Sequence, residues 1–283
     1  MKTNAGRAYT DAEEMKMDAT YGGLKTRRWA QRRAALLGCA LLWTGCVIPC
    51  FAGASDQPSF QSPDEAGRAL LAAVHDRDEP RVRQILAGGR ELLGVDGQTE
   101  EQLERELFES KYQEMHRWAR ISDGVRMLYV GAENWPFPVP LISLGGRWRF
   151  DARAGSEEIL FRRIGANEVT AIGMCATLAA AVLHPGADSE ADRVVNDLLP
   201  RLHEAGGPIP LHGYYFRILN DSAGAFGAIA YPVAYRFSGV ETFIVTADGT
   251  VLEKDLGPDT PKIAVATTTA RVDSTWTAAS KSE

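Results

Sequence analysis

The 283-residue chain carries 31 Lys and Arg against 37 Asp and Glu, a formal net charge of −6. That balance disfavours a nucleic-acid partner, whose phosphates an acidic surface repels. Four cysteines, at 39, 46, 50 and 175, leave one thiol beyond residue 54, so neither an intrachain disulfide nor a cysteine zinc site is expected in a processed chain.

The N-terminal stretch reads as an export leader. Four arginines lie within residues 27–33, an apolar run of about 16 residues follows from Ala34 to Pro49, and Ala52-Gly53-Ala54 precedes a polar Ser-Asp-Gln-Pro. Basic, apolar and small-residue segments in this order mark a secretory signal, and the apolar core is short for a comfortable span of about 20 residues. Met15 or Met17 are alternative starts, and Arg27-Arg28 is read as leader charge. Cleavage after Ala54 is the preferred reading, giving a periplasmic or secreted protein. The alternatives are an uncleaved anchor and acylation at Cys46, whose Leu42-Trp43-Thr44-Gly45-Cys46 context looks like a lipobox with a bulky Trp43. Membrane association is expected only through one of these two routes. Loss of residues 1–54 removes eight basic and four acidic residues, leaving 23 basic, 33 acidic and a net charge of −10.

Ser62-Pro63-Asp64-Glu65 predicts a helix start with Ser62 as cap, Pro63 in the first turn and two acids at the dipole's positive end. Ala66, Ala69, Leu70, Ala73 and Val74 form its apolar stripe. A second helix is predicted over Glu79–Leu86, ending at Gly88-Gly89. A third is predicted from Thr99, with Thr99–Gln102 as a capping box and packing residues running through His116. Val125–Val130 reads as a strand. Val139–Leu144, Gly145-Gly146 and Arg147–Asp151 then read as a hairpin, with Trp148 and Phe150 on one face and Arg147 and Arg149 on the other. Pro136, Pro138 and Pro140 require the first of these strands to be an edge or to start late.

Residues 155–183 form the longest helical candidate, opened by Ser156-Glu157-Glu158 and divided at Gly165. A weaker helix is predicted over Glu190–His203, then a turn or connection over Gly206–Pro210. From Leu211 the period becomes two. Strands are predicted at Tyr214–Leu219, Gly227–Ala234, Glu241–Thr246 and Val251–Lys254, with an Asp248-Gly249 turn between the last two. Val265, Val272 and Trp276 are expected to add a short strand or to dock on the body. The class is α+β: helices packed on antiparallel sheets in two subdomains after an N-terminal signal segment. The expected organisation is a leader over 1–54, a helix-plus-sheet subdomain over 55–154, a long helix with a meander over 155–277 and a frayed tail over 278–283.

Chemistry is sparse. Glycine-rich phosphate loops, a nucleophile elbow and a His-Glu-x-x-His pair are absent from the sequence. The adjacent acids Glu157 and Glu158 point in different directions on a helix, and a Glu157–Glu168 pair needs the fold to assemble it. His212, Asp255 and Asp259 are the candidates for a hydrolase-like centre, since an imidazole beside a carboxylate is the minimum for general-base work. Asp255 and Asp259 lack the spacing of a calcium loop, so neither a metal nor a cofactor is assigned. His75, His116, Trp135 and Trp148 are candidates for lining a small-ligand pocket. The bland alternative makes the histidines surface residues and the tryptophans core.

Several long motifs carry a family resemblance. Glu133-Asn134-Trp135-Pro136-Phe137-Pro138-Val139-Pro140, Gly146–Asp151, Glu157–Leu160 with Arg163–Glu168, His212–Leu219 and Lys254–Pro258 resemble the bacterial DUF2950 family over nearly all of residues 60–276. The resemblance implies an exported protein of Gram-negative bacteria with no assigned activity. Members of that family carry a longer insert where this chain has only His184–Pro210. Residues 165–255, with Asn167-Glu168 leading a helix and Tyr231-Pro232-Val233, Gly239–Phe243 and Asp248–Val251 following, look like the globular part of type IV pilin-like proteins. The first half more loosely resembles cone-shaped domains of the NTF2 type. These likenesses imply a binding or structural module with an envelope protein as its candidate partner.

Overall fold

The computed structural model describes residues 57–88, 98–183, 198, 200–202, 207–220 and 226–279. The leader, Cys46 and most of the weak helix expected over 190–203 lie outside them. Two compact units divide between Phe161 and Arg162. The protein is α+β, with helices and two antiparallel sheets.

In the first unit α1 (Pro63–His75) opens as its sequence requires: the Ser62 Oγ accepts from the Glu65 N–H at 3.1 Å, and Pro63 sits in the first turn. α2 (Glu79–Leu86) is capped by Asp78 and closes on Ala87 in the left-handed conformation, not on the glycines that follow. α3 (Gln98–Glu114) is already helical at Gln98, so Thr99 lies inside it. It stops before His116, because residues 116–122 form a strand. The sheet comprises β1 (His116–Ser122), β2 (Val125–Val130), β3 (Trp135–Pro136), β4 (Leu141–Leu144) and β5 (Arg147–Phe150), in the order β1-β2-β4-β5 with β3 on β2. β4 is internal and begins after Pro140, which resolves the proline constraint as a late start. Gly145 and Gly146 both adopt positive φ in the β4–β5 turn. Leu70, Ile85, Leu141 and Phe150 centre one apolar cluster with the helices, and Tyr112, Leu128 and Val130 centre another.

α4 (Ala152–Leu183) starts earlier than predicted because Asp151 caps it, its Oδ1 accepting from the Ala154 N–H at 3.1 Å. It runs through Gly165 without a break. In the second unit the sheet order is β11-β10-β9-β8-β7-β6, antiparallel throughout. Its strands are β6 (Ile209–Leu211), β7 (Tyr214–Asn220), β8 (Phe226–Pro232), β9 (Glu241–Val245), β10 (Val251–Asp255) and β11 (Thr277–Ala278). β6 occupies what the sequence suggested was a connection. Its Pro210 is tolerated because β6 is an edge. Both sheet faces are covered. Ala171, Cys175 and Leu178 of α4 pack on Tyr214, Phe216, Ala230 and Phe243. The opposite face, Leu219, Ile229, Tyr231 and Ile244, is covered by α5 (Thr260–Ala266) and by Val272 and Trp276. Arg217 points to that side and donates to the carbonyls of Ala264 (2.7 Å) and Thr267, satisfying the end of α5. Cys175 is fully buried, and burial pushes its thiol up to about 12.

Gly239 is one glycine the packing demands, since a Cβ there would lie 2.1 Å from the Tyr214 Oη. Gly239→Ala is therefore expected to lower stability by about 1–3 kcal/mol through overpacking, measured by urea unfolding. An unchanged midpoint would show that Tyr214 can move aside.

Candidate functional site

The polar residues of the second unit gather at one end of its sheet. Antiparallel pairing brings the start of β7, the end of β8, the start of β9 and the end of β10 to this end: Tyr214 faces Pro232, and Glu241 faces Asp255. His212-Gly213 is a two-residue hairpin turn between β6 and β7, with φ of 45° and 76°. Histidine is among the residues that tolerate this left-handed region, and its side chain here is exposed.

Glu168 is the one buried carboxylate among the described residues, at 2% exposure. From α4 it accepts the backbone N–H groups of Val240 (3.0 Å) and Glu241 (3.2 Å). Its neighbour Asn167 donates through Nδ2 to the Ser238 carbonyl at 2.8 Å. The Tyr214 hydroxyl donates to the Glu241 carbonyl at 2.9 Å. Burial, followed by the nearby carboxylates of Glu168 and Glu241, drives the Tyr214 phenol far upward, so it stays a neutral donor. These contacts hold both the entry to β9 and the loop before it.

That loop, residues 233–240, is also tied internally. The Phe237 and Ser238 N–H groups donate to the Ala234 carbonyl at 3.0 and 2.9 Å, the Arg236 N–H donates to the Gly239 carbonyl at 2.7 Å, and the Ser238 Oγ accepts from the Ala234 N–H at 3.0 Å. Arg236 takes positive φ, 64°, at the tip. The outcome is a rigid loop that presents Phe237 at 65% exposure. Tyr235 is raised by burial and by its hydrogen bond to Asp255, donated at 3.3 Å.

His212, Asp255 and Asp259 share this end of the unit without meeting. β7 and β10 are three strand positions apart, about 14 Å at ordinary interstrand spacing. Asp255 accepts from Tyr235 and, through Oδ1, from the Gly257 N–H at 2.8 Å. Asp259 is exposed just before α5 and makes no capping hydrogen bond. No hydrogen bond among the described residues joins His212 to either aspartate. Among those residues no three His, Cys, Asp or Glu side chains assemble in the manner a metal ion needs.

In the first unit the four pocket candidates are spent on packing and local pairing. Trp148 packs in the cluster that holds Ala66, Leu70 and Ala73, and Trp135 packs near Leu71, Tyr112 and Phe137. The His116 ring stacks 4.0 Å from Tyr112, with Nδ1 donating to the Tyr112 carbonyl at 3.0 Å. His75 bonds Glu109 at 2.8 Å across α1 and α3, and Glu157 pairs with Arg153 on its own helix. The second unit also has an apolar recess of about 530 Å³ lined by Ile172, Ala176, Ala179, Leu183, Val251 and Ala279. Its only polar rim is Asp248 with Thr250, short of the convergent polar groups that orient a ligand. Phe237 and the true partners of Glu168 were missed from sequence. The available signal was an aromatic inside Arg236-Phe237-Ser238-Gly239, a turn-forming stretch where a buried ring is not expected.

The family model for DUF2950, described as a protein of unknown function, matches residues 57–196 and 187–279, and the chain belongs to that family. No curated protein and no solved structure matches the chain.

Glu168→Ala is expected to cost about 2–4 kcal/mol by stranding buried N–H donors, and Glu168→Gln clearly less, since its amide oxygen still accepts. Equal midpoints for both variants in urea would contradict this role. For His75, the hydrogen bond and charge of Glu109 raise the pKa above 6.5. The stabilising pair is thus complete below pH 6.5 and is lost as pH rises through the raised value. An NMR titration should show a His75 midpoint above 6.5 that falls back in Glu109→Gln.

Proposed function

We propose that this DUF2950 protein is an exported periplasmic or envelope-associated binding or structural module that engages an envelope protein through the loop at 233–240. The single observation behind this reading is where the buried charge goes. Burying a carboxylate is costly, and here one Glu168 oxygen accepts the backbone N–H groups of Val240 and Glu241, where β9 follows a loop whose tip carries an exposed aromatic. A loop held rigid before binding loses little entropy on association, and an aromatic tip is a common anchor. A helix against an antiparallel meander that displays its loops is also the arrangement of pilin-like globular domains, which serve assembly or display. The basic and apolar leader supports export.

Two measurements test this. Expressed with its own leader in a Gram-negative host, the protein is expected in the periplasm or medium with an intact mass beginning at Ser55. Full mass in the cytosol would end the export reading, and an acylated Cys46 in the membrane fraction would replace release with anchoring. Phe237→Ser is expected to keep the wild-type melting temperature within about 1 °C, the usual result for an exposed site, and to lose a discrete crosslinked adduct formed in cells by the wild type. An adduct of undiminished yield in Phe237→Ser would remove the loop from recognition.

A further inference from the structure

The sheet of the first unit has one face packed against helices and an opposite face that joins no apolar cluster among the described residues. Strand register decides which side chains lie where. Trp118 faces Leu128, Leu141 faces Phe150, and all four sit in the apolar clusters with α1, α2 and α3. Side chains alternate along a strand, so the intervening residues occupy the opposite face. Arg117 pairs with Tyr129, Ala119 with Met127, Val125 with Ile142, Ile142 with Arg149, and Leu144 with Arg147. Val125, Met127, Tyr129, Ile142 and Leu144 belong to no apolar core cluster among the described residues; the first four are half-buried and Leu144 is 50% exposed.

The charges of this face are of one sign. Arg117, Arg147 and Arg149 lie on it, and its strand positions carry no Asp, Glu or Lys. None of the three guanidinium groups has a carboxylate partner among the described residues. Arg117 bonds Asn134 at 2.7 Å and lies 4.4 Å over the Tyr129 ring. Arg147 donates to the Ser59 hydroxyl at 2.8 Å and to the Ser59 carbonyl. Arg149 makes no hydrogen bond or ion pair among those residues. Elsewhere arginines find acids: Arg105 with Glu79, Arg120 with Asp123 and Arg153 with Glu157. Uncompensated arginines beside an apolar centre are unusual in a chain of net negative charge.

We propose that this sheet face docks a protein partner bearing an aliphatic centre and a rim of Asp or Glu carboxylates. The composition favours protein over lipid. Interfaces between proteins are enriched in Tyr, Met and Arg and depleted in Lys, Glu and Asp, and Tyr129, Met127 and three arginines without a lysine or acid follow that pattern. A second copy applied face to face would set arginine against arginine, which like-charge repulsion disfavours. Planar guanidiniums also pair carboxylates with two parallel hydrogen bonds. The proposal does not depend on the loop at Phe237.

The test places a photo-crosslinking benzoyl-phenylalanine at position 144 of the full chain, expressed in its native type of host, with position 107 on α3 as control. Arg149→Glu is the diagnostic variant because its side chain makes no hydrogen bond or ion pair among the described residues, and unchanged circular dichroism melting checks its fold. An adduct from 144 and not 107 is expected, with the crosslinked peptide, identified by mass spectrometry, carrying Asp or Glu. Its yield should fall about tenfold in Arg149→Glu and persist in Arg149→Lys, since rim charge governs encounter. Absence of an adduct, an adduct insensitive to Arg149→Glu, a self-adduct or a lipid adduct would each overturn the proposal.

Discussion

A carboxylate taken out of water must find hydrogen-bond donors, and the second unit is arranged to supply them to Glu168. The idealised cost of burying such a charge is of order 20 kcal/mol and remains several kcal/mol after relaxation. Two backbone N–H groups, at Val240 and Glu241, aim at this side chain from the entry to β9. Hydrogen bonds to an ionised acceptor are the stronger kind. For those N–H groups to point inward the loop before β9 must turn sharply, which brings Gly239 against the Tyr214 ring and leaves no room for a Cβ. Asn167 and Tyr214 then close the arrangement on Ser238 and Glu241. Residues from α4, β7 and β9 thus become interdependent, although they are far apart in sequence.

This constraint changes how the motifs are understood. Among Asn167, Glu168 and Tyr214, the Asn167 amide, one Glu168 carboxylate oxygen and the Tyr214 hydroxyl bond backbone groups of the protein itself. Their product is loop geometry. His212 serves a turn, and Asp255 ties Tyr235 and the chain entering Gly257. What the second unit exposes is an aromatic on a preorganised loop. What the first carries is a sheet face whose arginines have no carboxylate partner among the described residues.

Much of this was legible without coordinates, and the failures have physical causes. Ser62-Pro63 marked α1 because its cap is local chemistry, and Gly145-Gly146 marked a hairpin because positive φ is a local demand. β1 was missed. Its sequence, His-Arg-Trp-Ala-Arg-Ile-Ser, follows a helix directly, and its exposed arginines hide the alternation. Only pairing with β2 makes it a strand, and Asp123-Gly124 was the overlooked turn signal. Gly165 looked like a break because glycine weakens a helix by about 1 kcal/mol, a penalty that packing along α4 overrides. Pro210 concealed β6 for a similar reason: an edge strand forgives a missing donor, and edge status is a property of the sheet.

The sequence by itself determined the α+β class, the starts of α1 and α2, and the turns at Gly145-Gly146 and Asp248-Gly249, because caps, turns and periodicity act over a few residues; its long motifs determined the family. It also singled out Asn167-Glu168, His212-Gly213 and Gly239 as motif residues. Only tertiary structure decided what they do. Whether Glu168 meets a substrate or a backbone N–H depends on which distant strand end lies beside α4. Whether Arg147 and Arg149 face the helices or the opposite side of the sheet depends on which side the helices take, and short-range chemistry does not encode that choice.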